Sequence, residues 1–221
     1  MLELIQPISK RDQVVRAMKD AILSGTIEPG ASIVESKIAQ QLGAGVPLIR
    51  EALIELEHQG FVQRTPYKGT TVTKLSPADV KRIFALRVEL EALAIEWAKE
   101  HTTDADLDYL RQTIRNMGDA ARVLDLPRFY ESDLAFHRKI WSLSDNSYLV
   151  DALERLVVLL FAFFVMKTSR QQKSYEESAC MHAKIVEALP MKSAGELREM
   201  FTQYLSSWED DMVTLLFPEE K

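Results

Sequence analysis

The chain has 221 residues, 47% of them hydrophobic and 27% charged, the balance of an ordinary globular protein long enough for one large domain or two small ones. A formal charge of −6 excludes a protein that coats nucleic acid indiscriminately. The single cysteine, Cys180, excludes an internal disulfide and points to a reducing cytoplasm.

In chain order, a first helix is expected from Ser9 to Leu23, with Val14, Val15, Met18, Ala21 and Ile22 as its apolar stripe. Pro29-Gly30 is a turn. A short helix, Glu35 to Leu42, stops at Gly43, and a third runs from Val46 to His58 with Ile49, Leu53 and Leu56 inward. Phe61–Thr65 and Thr70–Lys74 alternate like two strands around a Pro66-Tyr67-Lys68-Gly69 tip. Leu75-Ser76-Pro77 then marks a boundary: Ser76 suits an N-cap, Pro77 the first helical position and Asp79 the first turn.

From there only helices are expected, at about 77–100, 104–124, 127–144, 147–169, 175–189 and 194–216. Ser174–Glu177 and Ser193–Glu196 read as capping boxes, and Pro190 as a helix end. The apolar run Leu156 to Met166 is about half the roughly 20 residues of a membrane span, so it reads as a buried helix. Met1-Leu2-Glu3 opens no signal peptide. Charge is uneven: residues 1–75 carry 9 Lys and Arg against 8 Asp and Glu, and the remainder carries 18 against 25. The fold class is therefore mainly α. A winged helix-turn-helix with a small β-hairpin spans residues 1–75, and an all-α antiparallel bundle spans 76–221.

A helix presented by a compact three-helix unit fits the major groove, where its N-terminal residues reach base edges. Here those residues are Val46, Pro47 and Leu48, with Arg50 one turn in, and Lys68 at the wing tip can reach a phosphate or a groove. The plainer alternative pairs Arg50 with Glu51 or Glu35 in a winged helix that contacts protein. The segments IxxGxIxPGxxIxExxIAxxLG, PLIREALIELEHQGFV and PYKGTTV resemble the GntR family of bacterial transcription regulators, over residues 9–74. The helical body resembles the FCD effector domain of the FadR-like branch, in its shorter six-helix, VanR-type form. The resemblance implies contact with an operator through Ser36, Gly45, Val46, Pro47, Arg50, Tyr67 and Lys68. Two departures stand out. Gly45-Val46-Pro47-Leu48-Ile49 lacks the family's polar and basic reader, and Ser36 stands where many members carry arginine. An apolar tip touches thymine methyls but makes few hydrogen bonds, which shifts sequence preference toward Arg50, the wing and DNA shape.

In the body, Asp133 and His137 are four residues apart on one helix, on the face that carries Phe129, Phe136 and Ile140. His182 interrupts the stripe Ala179-Ile185-Leu189, Arg87 the stripe Val80-Phe84-Ala94, and Tyr204 lies with Phe201 and Trp208. Polar groups on several inward faces imply a shared polar centre, since burial is costly unless they are paired. One carboxylate and two imidazoles suit Zn²⁺, Ni²⁺ or Mn²⁺, and a buried hydrogen-bond network without metal is the alternative. The resemblance implies an Asp and a His one turn apart plus a His on each of two later helices. Asp133, His137 and His182 match three of these positions, and Tyr204 stands at the fourth. It also implies that Arg87 grips an effector carboxylate, against a purely structural pair with Glu89, Glu91 or Asp133. Cys180 reads as a packed thiol, Trp97, Trp141 and Trp208 as core or pocket walls, and His58 and His101 as surface residues.

The reading that follows is a cytoplasmic, homodimeric transcription regulator and not an enzyme. It binds a double-stranded operator, has no membrane association, and responds to a small carboxylate-bearing effector held with or without a divalent metal. The competing readings are a metal-dependent hydrolase on Asp133, His137 and His182, and a protein-interaction module built on the helical body.

Overall fold

Ser9 turns the chain into its first helix by accepting a 3.1 Å hydrogen bond from the Asp12 amide, and α1 follows as Lys10–Leu23. The structure is a computed structural model and describes residues 9–67, 69–168 and 172–218, the side chains of 172–174 and 210 excepted. The chain divides into two compact units, Met1–Lys74 and Leu75–Lys221.

In the first unit, Val14, Val15, Met18 and Ile22 of α1 are buried, as their helical spacing requires. Helix α2, Glu35–Leu42, ends at Gly43 with φ +61, where the glycine N–H closes onto the carbonyls of Ala39 and Gln40. A side chain would be strained there, so this glycine makes the sharp stop from which α3, Val46–His58, sets out in a new direction. Ile49, Ala52, Leu53 and Leu56 of α3 are wholly buried. Sealing each large side chain contributes roughly 1.5–3 kcal/mol, and this face anchors the helix with its opposite face outward.

The wing differs from the expected two-stranded hairpin. Strands β1 (Ser32–Ile33), β2 (Val62–Thr65) and β3 (Gly69–Val72) form a three-stranded sheet, in the order β1-β3-β2 and antiparallel throughout. Two residues are too few to show a period of two, which is why β1 is silent in the sequence. The Thr73 hydroxyl donates to the Gly60 carbonyl at 2.6 Å, tying the base of the wing to the end of α3.

The second unit contains α4 (Pro77–His101), α5 (Asp104–Val123), α6 (Leu126–Leu143), α7 (Ser147–Lys167), α8 (Gln172–Met191) and α9 (Ala194–Leu216). Reciprocal capping boxes start α4 at Ser76 and Asp79, α5 at Thr103 and Asp106, and α9 at Ser193 and Glu196. A cap of this kind is worth about 1 kcal/mol. Helix α6 packs against α4, α5 and α7, while α9 lies along α4, and α8 along α5. Phe84, Phe129, Phe136, Trp141, Phe163 and Phe201 fill the core between them. Residues 160–166 of α7 are all buried, and no described helix is long and apolar enough to cross a membrane.

Four expectations change. Helix α8 starts at Gln172, so Ser174 lies inside it and not at an N-cap. Pro190 falls within its last turn, where proline gives up one i→i−4 hydrogen bond but little helix follows for it to disrupt; the ammonium of Lys99 satisfies the Leu189 and Pro190 carbonyls at 2.6 and 3.1 Å. Cys180 is exposed and not packed. Trp97 is also exposed, at 36%, and is no core wall.

Candidate functional site

The polar residues on inward faces of separate helices meet. Asp133 and His137, one turn apart on α6, converge with His182 of α8, and all three are buried. They line a cavity of about 40 Å³ together with Arg87 of α4, Phe161 of α7 and Tyr204 and Trp208 of α9. That is room for about three water-sized groups. Among the described residues, these three form the group of His, Asp, Glu and Cys side chains placed to hold one ion.

The hydrogen bonds around the two imidazoles determine what the centre can accept. His137 Nδ1 lies 2.8 Å from Glu91 Oε2, and an ionised carboxylate only accepts, so Nδ1 carries the hydrogen. His182 Nδ1 lies 2.7 Å from the carbonyl oxygen of Ser178, which also only accepts. In the neutral rings both Nε2 atoms are therefore bare, and they face one another at 3.0 Å. Asp133 Oδ1 stands 3.1 Å from His182 Nε2 and 3.9 Å from His137 Nε2, buried and without a hydrogen-bond partner among the described residues. Three electron-rich atoms thus point at one another. A cation relieves that arrangement. Ligand atoms about 2.1 Å from one ion can be at most about 4.2 Å apart, and separations of 3.0, 3.1 and 3.9 Å all satisfy the limit. The donor set fits a borderline divalent metal such as Zn²⁺ or Ni²⁺.

Electrostatics hold both carboxylates ionised. Burial works to raise the Glu91 carboxyl, but the neighbouring Arg87 and His137 outweigh it and hold the pKa down to about 2. Burial likewise opposes ionisation of Asp133, and His182, His137 and Arg87 together still lower its pKa. Burial pushes His137 below its ordinary value, toward the neutral ring a metal needs. Tyr204 moves the other way: burial raises its phenol well above 10. It offers a neutral O–H to the cavity and is a poor substitute for a third histidine.

Arg87 takes up one of the partners that the sequence left open. Its Nε donates to Glu91 Oε1 at 2.6 Å, so the structural pair with Glu91 exists. The guanidinium also packs over the rings of Phe161 and Phe84, at 4.8 and 5.3 Å, and the residue still lines the cavity. Glu91 was legible only as a partner for Arg87. Its contact with His137 is 46 residues away in the chain, and the one available signal was the four-residue spacing that puts Glu91 on the Arg87 face of α4. His101, read as a surface residue, lies near the carbonyls of Trp97 and Leu143 at 3.2 and 3.1 Å.

In the first unit, Ser36, Gly45, Pro47 and Arg50 are exposed and Val46 is half-buried, in the helix-turn-helix formed by α2 and α3. Arg50 Nε donates to Glu35 Oε2 at 2.6 Å, so the ion-pair alternative is present at this solvent-facing position. Tyr67 is fully exposed at the wing tip, with φ +63. Lys68 lies outside the described residues.

Comparison with known proteins gives the same two units. Residues 10–72 match the family described as bacterial regulatory proteins, gntR family, and residues 82–207 match the FCD domain. The chain is 27% identical over 146 residues to the HTH-type transcriptional regulator McbR of Escherichia coli K12, covering 66% of each protein. It is 24% identical over 200 residues to the HTH-type transcriptional repressor RspR of the same organism, covering 90% of this chain and 86% of RspR. The structure of E. coli McbR/YncC superposes with a TM-score of 0.70 at 22% identity, covering 97% of this chain and 100% of that one, which shows a shared fold.

Proposed function

The chain belongs to the gntR family of bacterial regulatory proteins and carries its FCD effector domain, a ligand-responsive DNA-binding regulator of transcription, and from that premise we propose how its residues divide the work. Helices α2 and α3, the turn between them and the wing hold a double-stranded operator half-site through Ser36, Gly45, Val46, Pro47, Arg50, Tyr67 and Lys68. Asp133, His137 and His182 hold a divalent metal. Arg87 and Tyr204 meet a small carboxylate-bearing effector in the adjoining cavity, the guanidinium by charge and the phenol by donating a hydrogen bond. A bound metal supplies a Lewis-acidic positive charge beside that anion, with a coordination position that Tyr204 leaves to the effector or to water. The metal here anchors a ligand, and the protein is a regulator and no enzyme, working in the cytoplasm where its DNA lies.

The observation that carries the metal and effector reading is the convergence of two bare Nε2 atoms and an unpartnered carboxylate oxygen on a cavity that also holds Arg87. The homodimer is supported by α4. Ile83, Leu86, Leu90, Leu93 and Trp97 recur every three or four residues along it, none of them buried and Leu86 and Trp97 exposed, the period of a helix-pairing seam. Effector binding biases two arrangements of the DNA-binding units, so its affinity for protein and the protein's affinity for DNA are reciprocally linked.

Two measurements test the reading. Gel-shift titration against the protein's own upstream region, at low and high salt, should show specific binding that weakens as salt rises; no affinity at low salt refutes the DNA role. Metal analysis of purified protein should find about one divalent ion per chain in the wild type and a large loss on His182→Ala. Equal content in both removes His182 as a ligand.

A further inference from the structure

We infer that Glu91 is the positioning residue of the metal centre: through His137 Nδ1 it forces the proton onto the far side of the ring, so that the Nε2 lone pair points at Asp133 and His182. This rests on the metal reading above and goes beyond it, because Glu91 touches neither the proposed ion nor the three ligands' convergent atoms.

The geometry is a two-sided clamp. Oε1 accepts from Arg87 Nε at 2.6 Å and Oε2 accepts from His137 Nδ1 at 2.8 Å, so each oxygen of one carboxylate is committed. Glu91 is 1% exposed, which shields both bonds from bulk solvent. With one oxygen accepting from Arg87 and the other facing Nδ1, Glu91 leaves His137 one neutral tautomer. The other tautomer would place a hydrogen on Nε2, in the 3.0 Å gap to His182, where the ion belongs. The edge of Phe161, 4.8 Å from His137 between ring centroids, packs against the imidazole but cannot choose between its nitrogens. Glu91 makes that choice, and it also holds Arg87 in place. One side chain therefore serves both the metal ligand and the anion-binding arginine, and loosening it disturbs both at once.

The test uses the full-length protein stripped of metal, with Zn²⁺ as the probe. Histidine ¹⁵N spectra of the wild type should show His137 protonated at Nδ1. In Glu91→Gln the side-chain amide can donate to Nδ1, so the proton should move in part or wholly to Nε2. Zn²⁺ affinity, measured by competition with a chromophoric chelator, should fall ten- to a hundredfold, and Glu91→Asp, which keeps the charge but reaches less far, should fall between the two. Wild-type His137 protonated on Nε2 with Nδ1 bare overturns the inference, as does Glu91→Gln with unchanged affinity and an unchanged His137 spectrum. If Glu91→Gln fails to fold, the wild-type spectrum alone still decides which nitrogen carries the proton. If the wild type binds no Zn²⁺ the metal reading fails, and the same spectrum separately reports whether Glu91 sets the tautomer.

Discussion

Replacing His182 with leucine separates a metal ligand from a structural histidine, because loss of a ligand shows only when metal is present. The imidazole is 3% exposed and packs edge-on against Phe136, with ring centroids 4.5 Å apart. Leucine is close to it in size, so the cavity term of a large-to-small substitution is largely avoided. What is lost is the bond from Nδ1 to the Ser178 carbonyl, a net contribution of about 1 kcal/mol. What is relieved is the 3.0 Å opposition of two ring nitrogens. Without metal, the stability of His182→Leu should therefore lie within about 1 kcal/mol of the wild type, and the Tm should be nearly unchanged. With metal the difference should be large. An ion at a hundred times its Kd stabilises the wild type by about 2.7 kcal/mol. At roughly 2–4 °C per kcal/mol for a chain of this size, that is a rise of about 5–11 °C. The variant keeps two of the three ligands and should show less than about a quarter of this rise. Differential scanning fluorimetry with and without Zn²⁺, after chelator treatment, measures both quantities. An undiminished Zn²⁺-dependent rise in His182→Leu, or a fall of several kcal/mol in the metal-free protein, refutes the reasoning.

Arg50→Ala should weaken operator binding by about 1–3 kcal/mol if it reads a guanine, or lower the salt slope by about one if it meets a phosphate; gel shifts at several salt concentrations distinguish the two. Glu35→Gln frees the same arginine from its 2.6 Å pair and should tighten DNA binding, with unchanged or weaker binding counting against a DNA role for Arg50. The Glu91 carboxyl is depressed in the folded state, from an ordinary 4.5 to about 2. Its stabilisation is therefore complete above pH 4.5 and is lost as pH falls toward 2; urea unfolding across that window should be less pH-dependent in Glu91→Gln than in the wild type. Leu86→Glu puts a charge on the exposed seam of α4, where the side chain is already 51% exposed. It should leave the helical content intact while sedimentation shows the mass falling from dimer to monomer.

Most of the architecture was legible because it is written in local signals. The boundaries of α2 and α3 follow from Gly43 and from the spacing of Ile49, Leu53 and Leu56, and α9 begins at the Ser193–Glu196 box. What escaped was short or depended on distant residues. Strand β1 has two residues and exists because β3 offers it an edge. Trp97 and Cys180 carry the composition of buried residues but fall on the solvent side of α4 and α8, a side that hydrophobicity by itself does not identify.

At the candidate site the division is similar. The sequence by itself determined which groups turn inward, since the helical period puts Arg87, Asp133, His137 and His182 among apolar neighbours on three stretches of chain that have no local reason to be polar. It also marked the departure at Tyr204. Only the tertiary structure decided which way each imidazole faces. That depends on Glu91, on a different helix from His137, and on the Ser178 carbonyl, one turn from His182. A periodic pattern records burial, which is a property of a helix face. The convergence of those lone pairs is a property of atoms that meet only when separate helices pack, and no spacing within one helix encodes it.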